Sequence, residues 1–331
     1  MTAIAFGPVP SRRLGRSLGI NNIPPKVCSY ACVYCQVGRT AELTPERRGF
    51  YPPEDVVRQV ETRVHEVRKR GEAIDYLAFV PDGEPTLDAH LGKEIAALRP
   101  LGIPVAVLSN ASLVDREDVQ TDLLRADWVS LKVDAVREDI WHRLNRPHGR
   151  LRLDDQLRGG LRFSGRFAGT LATETLLVAG LNDDEGHVDD LGRHLETLGP
   201  DLAYLSVPTR PPAEEWVRAP EDDVVFRAWQ SLATRLPETR VELLIGDEGN
   251  AFASTGDARA DLLAITAVHP MRVEAVADLL ARTRQGWPVV EALVEERLLA
   301  RREHGGRTFF VRRFARPESP TASHATRRGE P

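Results

Sequence analysis

The chain has 331 residues, 42% of them apolar and 28% charged, which suits one large α/β domain with a small one. No apolar run reaches the roughly 20 residues that span a bilayer. The start MTAIAFGPVPSRRLG lacks a signal-peptide core, so a cytoplasmic chain with no membrane partner is expected. The net charge of −5 is uneven, because residues 1–41 carry five cations and no acid, and residues 297–316 carry seven Arg against Glu303. Two basic zones on an otherwise acidic chain point toward an anionic partner.

The first β-type run, SLGINNI (17–23), leads into KVCSYACVYCQVGRT, which holds Cys28, Cys32 and Cys35, all the cysteines of the chain. An odd number of thiols crowded into eight positions makes no disulfide framework. A closed zinc site wants four ligands, and with His65 the nearest histidine, on the following helix, zinc needs a remote fourth donor. Iron–sulfur clusters are held by thiolates. Three thiolates on a four-iron cluster leave one iron open, and an open metal position is where a substrate or cofactor coordinates. Gly38 relieves crowding as the backbone turns away.

YLAFVP (76–81), VAVLS (105–109), WVSLKV (128–133), LATETLLV (171–178) and LAYLSVP (202–208) read as further strands, with VELLIG (241–246) as a seventh. Helical patterns lie between them at 53–70, 88–99, 114–125, 154–163, 184–198 and 220–235. Pro52-Pro53 marks the start of the first helix and Asp88 that of the second. The alternation predicts parallel strands with right-handed crossovers, covered by helices. Chemistry in such folds sits at the C-terminal ends of the strands.

The polar residues at those ends are therefore the candidates. In VPDGEPTLD, Gly83 permits close backbone approach and Glu84 can accept hydrogen bonds from an ammonium group. LSNAS supplies Ser109, Asn110 and Ser112. Lys132 and Asp134 share one face of their strand, and a lysine embedded in an apolar strand needs a partner or a water-filled cavity. Both are read as lining the active cavity. Glu174 sits inside the next apolar run, which ends at Gly180, Asn182 and Asp183. Arg210, stiffened by two following prolines, is read as a bidentate partner for a substrate carboxylate or phosphate, as are Arg12, Arg13 and Arg16.

From about residue 257 the rhythm changes to three short helices and a strand–Gly-Gly–strand hairpin, an order that resembles a winged-helix domain. The expected division is 1–250 for the core, 257–316 for the winged-helix-like domain and 317–331 for a disordered tail.

The C-x3-C-x2-C spacing, with Tyr34 directly before the third cysteine, resembles the radical S-adenosylmethionine (SAM) superfamily. DGEP resembles that family's GGEP motif, with Asp82 in place of the first glycine, and GLND resembles its strand-end turn. FGPVPSRRLGRSLGI and RPPAEEW further resemble the Fe–S oxidoreductase subgroup related to the tRNA wyosine-synthesis radical SAM enzymes, over roughly residues 5–250. The resemblance implies a partial (β/α)6 barrel, a 4Fe–4S cluster on the three cysteines, and SAM cleaved to a 5′-deoxyadenosyl radical that abstracts hydrogen. It implies that Tyr34 and Gly180 lie near the adenine, that Gly83 and Glu84 serve the cofactor's amino group, and that Ser109, Asn110 and Glu174 contact the cofactor. The wyosine enzyme carries extra N-terminal cysteines for a second cluster, and this chain has none.

The expected partners are SAM, an anionic substrate that could be an RNA base, a protein or a small molecule, and a one-electron reductant such as flavodoxin or ferredoxin. Nucleic acid at the basic C-terminal domain is a further candidate. The alternative is an iron–sulfur redox sensor whose winged helix reads DNA. DGEP and LSNAS favour the enzyme, because a sensor needs no cofactor pocket.

Overall fold

The computed structural model describes residues 4–244, 254, 256–268, 270–304 and 306–313. Its first element, β1 (Ala5–Ser11), is one the sequence pattern did not mark. Pro8 and Pro10 disguise it, since a residue without an N–H belongs only at a sheet edge, and β1 is the edge strand. It runs antiparallel to β2 (Gly15–Ile20). Gly19 on β2 is obligatory there, because a Cβ would stand 2.0 Å from the Phe6 ring.

β3 (Val27–Cys28) and β4 (Glu42–Leu43) form a two-residue parallel ladder across the base of the cysteine loop. Next comes α1 (Pro53–Lys69), with proline at its start, acids in its first turn and Arg68 and Lys69 in its last, in accord with the helix dipole. Then follow β5 (Tyr76–Phe79), α2 (Leu91–Leu98), β6 (Val105–Ser109), α3 (Glu117–Leu123) and β7 (Trp128–Lys132). Two helices come next, α4 (Glu138–Asn145) and α5 (Leu153–Ser164), of which only the second was predicted. The core ends with β8 (Thr170–Leu176), α6 (Glu185–Leu198), β9 (Leu202–Ser206), α7 (Asp222–Arg235) and β10 (Arg240–Leu244).

The strands form one sheet in the order β1-β2-β5-β6-β7-β8-β9-β10, parallel throughout except for the first pair. All seven predicted strands are in it. Alternation along each strand gives the sheet two apolar faces. Leu77, Phe79, Val105, Val107 and Leu131 face one way, into a core shared with Val56, Val60 and Val64 of α1. Ala78, Ala106, Trp128, Ala172 and Tyr204 face the other way and pack with Leu14 of the β1–β2 turn.

The C-terminal part comprises α8 (Ala258–Val268), β11 (Met271–Arg272), α9 (Val273–Thr283), α10 (Pro288–Glu295), β12 (Leu299–His304) and β13 (Arg307–Arg312). The predicted three helices and hairpin are there, and β11 adds a third strand to give the order β11-β13-β12. Leu262, Ile265, Val276, Leu279 and Phe310 build its core, and Phe6 and Val9 of β1 join it. Burying such side chains contributes about 1.5–3 kcal/mol each. The overlooked strand therefore ties the two parts together. The tail read at 317–331 lies outside the described residues, as do 245–250 at the end of the expected core domain. No helix among the described residues is long and apolar enough to cross a membrane.

Candidate functional site

The cysteine loop is held from several sides. The Tyr30 hydroxyl is buried, donates to Gln156 Oε1 and accepts from Trp141 Nε1 at 3.0 Å. Val33 N donates to Leu144 O at 3.0 Å. The RPPAEEW segment straps the loop from outside, because Glu214 N donates to Val33 O at 3.0 Å. The Glu214 carboxylate then takes Arg146 at 2.6 Å and Arg39 at 3.2 Å. A rigid frame of this kind is what a ligand set needs, since its donors must hold their spacing before anything binds.

Cys28, Cys32 and Cys35 are unbridged and line one cavity of about 210 Å³. Among the described residues no three His, Cys, Asp or Glu side chains are arranged around a single metal ion. Side-chain amides approach two of the sulfurs: Asn110 Nδ2 lies 3.5 Å from Cys28 Sγ and Asn145 Nδ2 lies 3.6 Å from Cys32 Sγ. Hydrogen bonds to the sulfurs are a standard means of tuning a cluster's potential. Burial pushes the Cys32 thiol up to about 12 and Cys28 higher still, with the neighbouring negative groups adding to the effect. Thiols raised in this way, as Cys28 and Cys32 are, stay protonated without a cation, and a coordinating metal displaces the proton outright. An all-sulfur donor set in a shielded cavity fits an iron–sulfur group.

Gly83 and Glu84 shape the opposite wall. A Cβ on Gly83 would stand 1.9 Å from Val27 O, so the glycine is there to let the DGEP loop lie against the strand that carries Cys28. Its close approach is to protein backbone. Gly83→Ala is expected to push that strand aside, at a cost of about 1–3 kcal/mol, and to lower the iron bound per chain. Iron analysis beside a melting curve checks both.

Glu84 is completely buried and accepts from Thr86 N at 3.0 Å, Thr86 Oγ1 at 2.6 Å, Ser109 Oγ at 2.8 Å and Asn110 N at 2.6 Å. Burial raises its carboxyl and these four donors oppose that. Ser109 is spent on Glu84. Asn110 reaches Ser29 Oγ at 2.9 Å as well as Cys28, so it braces the cysteine loop. Ser112 does the same through Ser29, 2.6 Å away.

A layer of charge floors the cavity. Lys132 Nζ lies 3.3 Å from Glu174 and 3.6 Å from Asp134. Arg13 enters from the β1–β2 turn at the other end of the sheet and meets Glu174 at 2.5 Å. Burial alone would lift the Glu174 carboxyl, but Arg13 and Lys132 outweigh it and bring it down to about 2. Asp134 accepts from the Tyr34 hydroxyl and from Asn145 Nδ2 at 2.8 Å, while Lys132 Nζ sits 5.1 Å above the Tyr34 ring. Asp134 thus fixes the ring that faces the cavity.

Three of the expected residues lie outside the cavity lining. Arg16 lies at the far end of the sheet in an exposed pair with Asp75 at 3.0 Å, away from any substrate at the thiols. Arg210 is absent from the cavity lining, and its Nη1 donates to Gln36 of the cysteine loop at 2.7 Å. Gly180 is exposed in a turn where its N–H donates to Asp183 at 2.8 Å, and no other group comes within 4 Å of where its Cβ would be. The positive φ of 70° explains the glycine without any ligand. Sequence reasoning missed Asn145, which touches Cys32, Tyr34 and Asp134 together. Its only signal was position at the end of a helix that went unmarked.

Residues 22–191 match the pattern of the Radical SAM superfamily. The chain belongs to the radical SAM superfamily. The "UPF0026 protein MJ1312" of Methanocaldococcus jannaschii is 45% identical over 309 residues, which is 93% of this chain and 96% of that protein. A "UPF0026 protein" of Helicobacter pylori is 32% identical over 247 residues, 72% of this chain and 77% of the relative. Among solved structures, TYW1 with a lysine-pyruvate adduct superposes with a TM-score of 0.51 at 18% identity, covering 66% of this chain and 73% of that one. That likeness establishes the α/β fold with its mostly parallel sheet. As radical SAM proteins do, this one is expected to bind an iron–sulfur group and SAM, and the thiol cavity is the place whose residues fit them.

Proposed function

We propose that this radical SAM protein holds a 4Fe–4S cluster on Cys28, Cys32 and Cys35, with its fourth iron left for SAM, and acts on a hydrogen-bearing substrate at the C-terminal ends of the strands. The observation that carries the reading is the convergence of the chain's only three thiols on one cavity walled by Glu84, Tyr34, Lys132 and Glu174. When bound, the cluster and SAM supply the one-electron cleavage of the sulfonium that leaves a 5′-deoxyadenosyl radical able to abstract hydrogen.

The residues have separate tasks in this reading. Glu84 offers its carboxylate to the cofactor's amino group from a loop fixed by four donors. Tyr34, oriented by Asp134, gives the adenine a flat contact. Lys132 and Glu174 set the polarity of the floor, where a polar substrate group is met. Arg210, bonded to Gln36 of the cysteine loop, is the contact proposed for an anionic substrate. Under the same proposal the sheet is a partial (β/α)6 barrel over residues 1–250, residues 257–316 are a winged-helix-like domain, and the enzyme works in the cytoplasm with flavodoxin or ferredoxin as electron donor.

Anaerobic reconstitution with iron and sulfide, then dithionite and SAM, tests it. The expected result is a brown protein that releases 5′-deoxyadenosine. Zinc in the anaerobically purified protein, or release no faster than the protein-free blank, removes the proposal. A blank result together with a DNA gel shift would favour a redox sensor instead. Arg16→Ala, at the far end of the sheet, is expected to leave release unchanged.

A further inference from the structure

Lys26 stands just before β3 and has a backbone that lysines seldom adopt, with φ at 67° in the left-handed region. Glycine or asparagine enters that region more readily. Three hydrogen bonds impose it here. Lys26 N donates to Asp82 O at 2.8 Å, and Lys26 O accepts from Ala41 N at 3.0 Å and from Glu42 N at 3.1 Å. Strained residues persist where their surroundings over-determine them, and they cluster at functional sites. The hydrogen bonds explain the turn but not the choice of lysine, so its side chain needs a reason of its own.

That side chain is buried and lines the thiol cavity. Its Nζ lies 3.5 Å from where a Cβ on Gly38 would stand, against the turn in which Gly38 N donates to Cys35 O at 3.0 Å. Burial lowers the pKa of Lys26, while Cys35, Asp82 and Cys28 oppose that, so two of the three thiols act on one ammonium group. The cavity lining holds a second lysine, and the two are engaged differently. Lys132 is paired with Glu174 at 3.3 Å and with Asp134 at 3.6 Å. Lys26 faces Asp82, whose buried carboxylate oxygens make no hydrogen bond among the described residues. Burial pushes that carboxyl up to about 7, so at neutral pH it offsets the ammonium only in part.

We propose that the Lys26 ammonium is a fixed counter-charge to the thiols of the cavity, and that it raises the reduction potential of an iron–sulfur cluster held there. An electron added to a thiolate-bound cluster adds negative charge, and a nearby cation stabilises the product more than the starting state. Net charge is one of the determinants of such potentials. The proposal deepens the function proposed above and rests on its cluster.

The test is a redox titration of the full chain, reconstituted with iron and sulfide, without SAM. Dithionite, oxidised to sulfite, supplies one electron per cluster, and no bond to the protein forms or breaks. Lys26→Met keeps an unbranched stem and removes the charge. It should hold as much iron as the parent, while the equilibrium toward the reduced cluster falls about tenfold, a drop of about 59 mV for one electron. Lys26→Arg should bring the potential back toward the parent's. An unchanged potential in a fully loaded Lys26→Met protein overturns this proposal alone, and weaker SAM binding in that protein would give the ammonium to a carboxylate of the ligand instead. If Lys26→Met holds no iron, Lys26→Arg decides. Iron at the parent's potential then supports the charge, and an empty protein leaves Lys26 a packing role and overturns the proposal. A parent that binds no iron overturns the cluster and this inference together.

Discussion

Cys32→Ala is expected to yield a folded, colourless protein that binds little iron and releases 5′-deoxyadenosine at the rate of a protein-free blank. The chain has no spare thiol to take over, since Cys28, Cys32 and Cys35 are all it contains. Deleting one half-buried sulfur costs the fold about 1 kcal/mol, the scale of removing one heavy atom from a packed site, so the variant should still melt cooperatively. Asn145→Ala separates the two effects. It keeps all three thiols and removes the amide at 3.6 Å from Cys32 together with a donor to Asp134. Iron should still load, while SAM binding falls as Tyr34 loses its support. Iron content, absorbance and the deoxyadenosine assay together decide the matter, and a Cys32→Ala protein with full iron and full cleavage would remove the thiol site altogether.

How much of this was readable in advance depends on how local the cause is. The central parallel strands announced themselves because they are buried on both faces and so read as apolar runs, as VAVLS and WVSLKV do. The cysteine loop was legible because its chemistry is written in spacing. β1 was not, because two prolines suppress the strand signal and its purpose, covering β2 and anchoring the C-terminal core through Phe6 and Val9, is tertiary. Gly83 was rightly read as a close approach, but the partner, Val27 O, is 56 positions away and only the fold supplies it. Arg13 and Arg16, three residues apart, look alike in sequence. One reaches Glu174 through the interior and the other meets Asp75 in solvent, because the turn between β1 and β2 turns one inward and the other outward. Asn145 and Glu214 stay invisible for the same reason: their partners come from other elements.

Glu174→Gln is expected to be the most destabilising single change in the cavity floor. The substitution keeps the volume and removes the charge, leaving the partly buried Arg13 and Lys132 beside a neutral amide. Breaking one partner out of a buried charge cluster costs about 3–5 kcal/mol. Asp134, 3.6 Å from Lys132, still compensates that cation, which favours the lower end. At a few degrees of melting temperature per kcal/mol, the drop should be about 5–10 °C at pH 7.

The dependence on pH has a definite sign. The Glu174 carboxyl is held at about 2 in the folded protein against an ordinary 4.5, so its contribution is complete above the unfolded value and is lost as pH falls from there toward 2. The gap between parent and variant should thus be constant from neutrality down to about pH 5 and should shrink below it. Pairing the variant with Arg13→Gln supplies the coupling measurement. The double change should cost less than the two single changes together, because each removes the charge that makes the other expensive. Melting curves for the four proteins at pH 7 and pH 4 are sufficient. Equal melting of parent and Glu174→Gln at neutral pH, or strict additivity in the cycle, would show that the charges do not act on each other and that the floor of the cavity is set by packing alone.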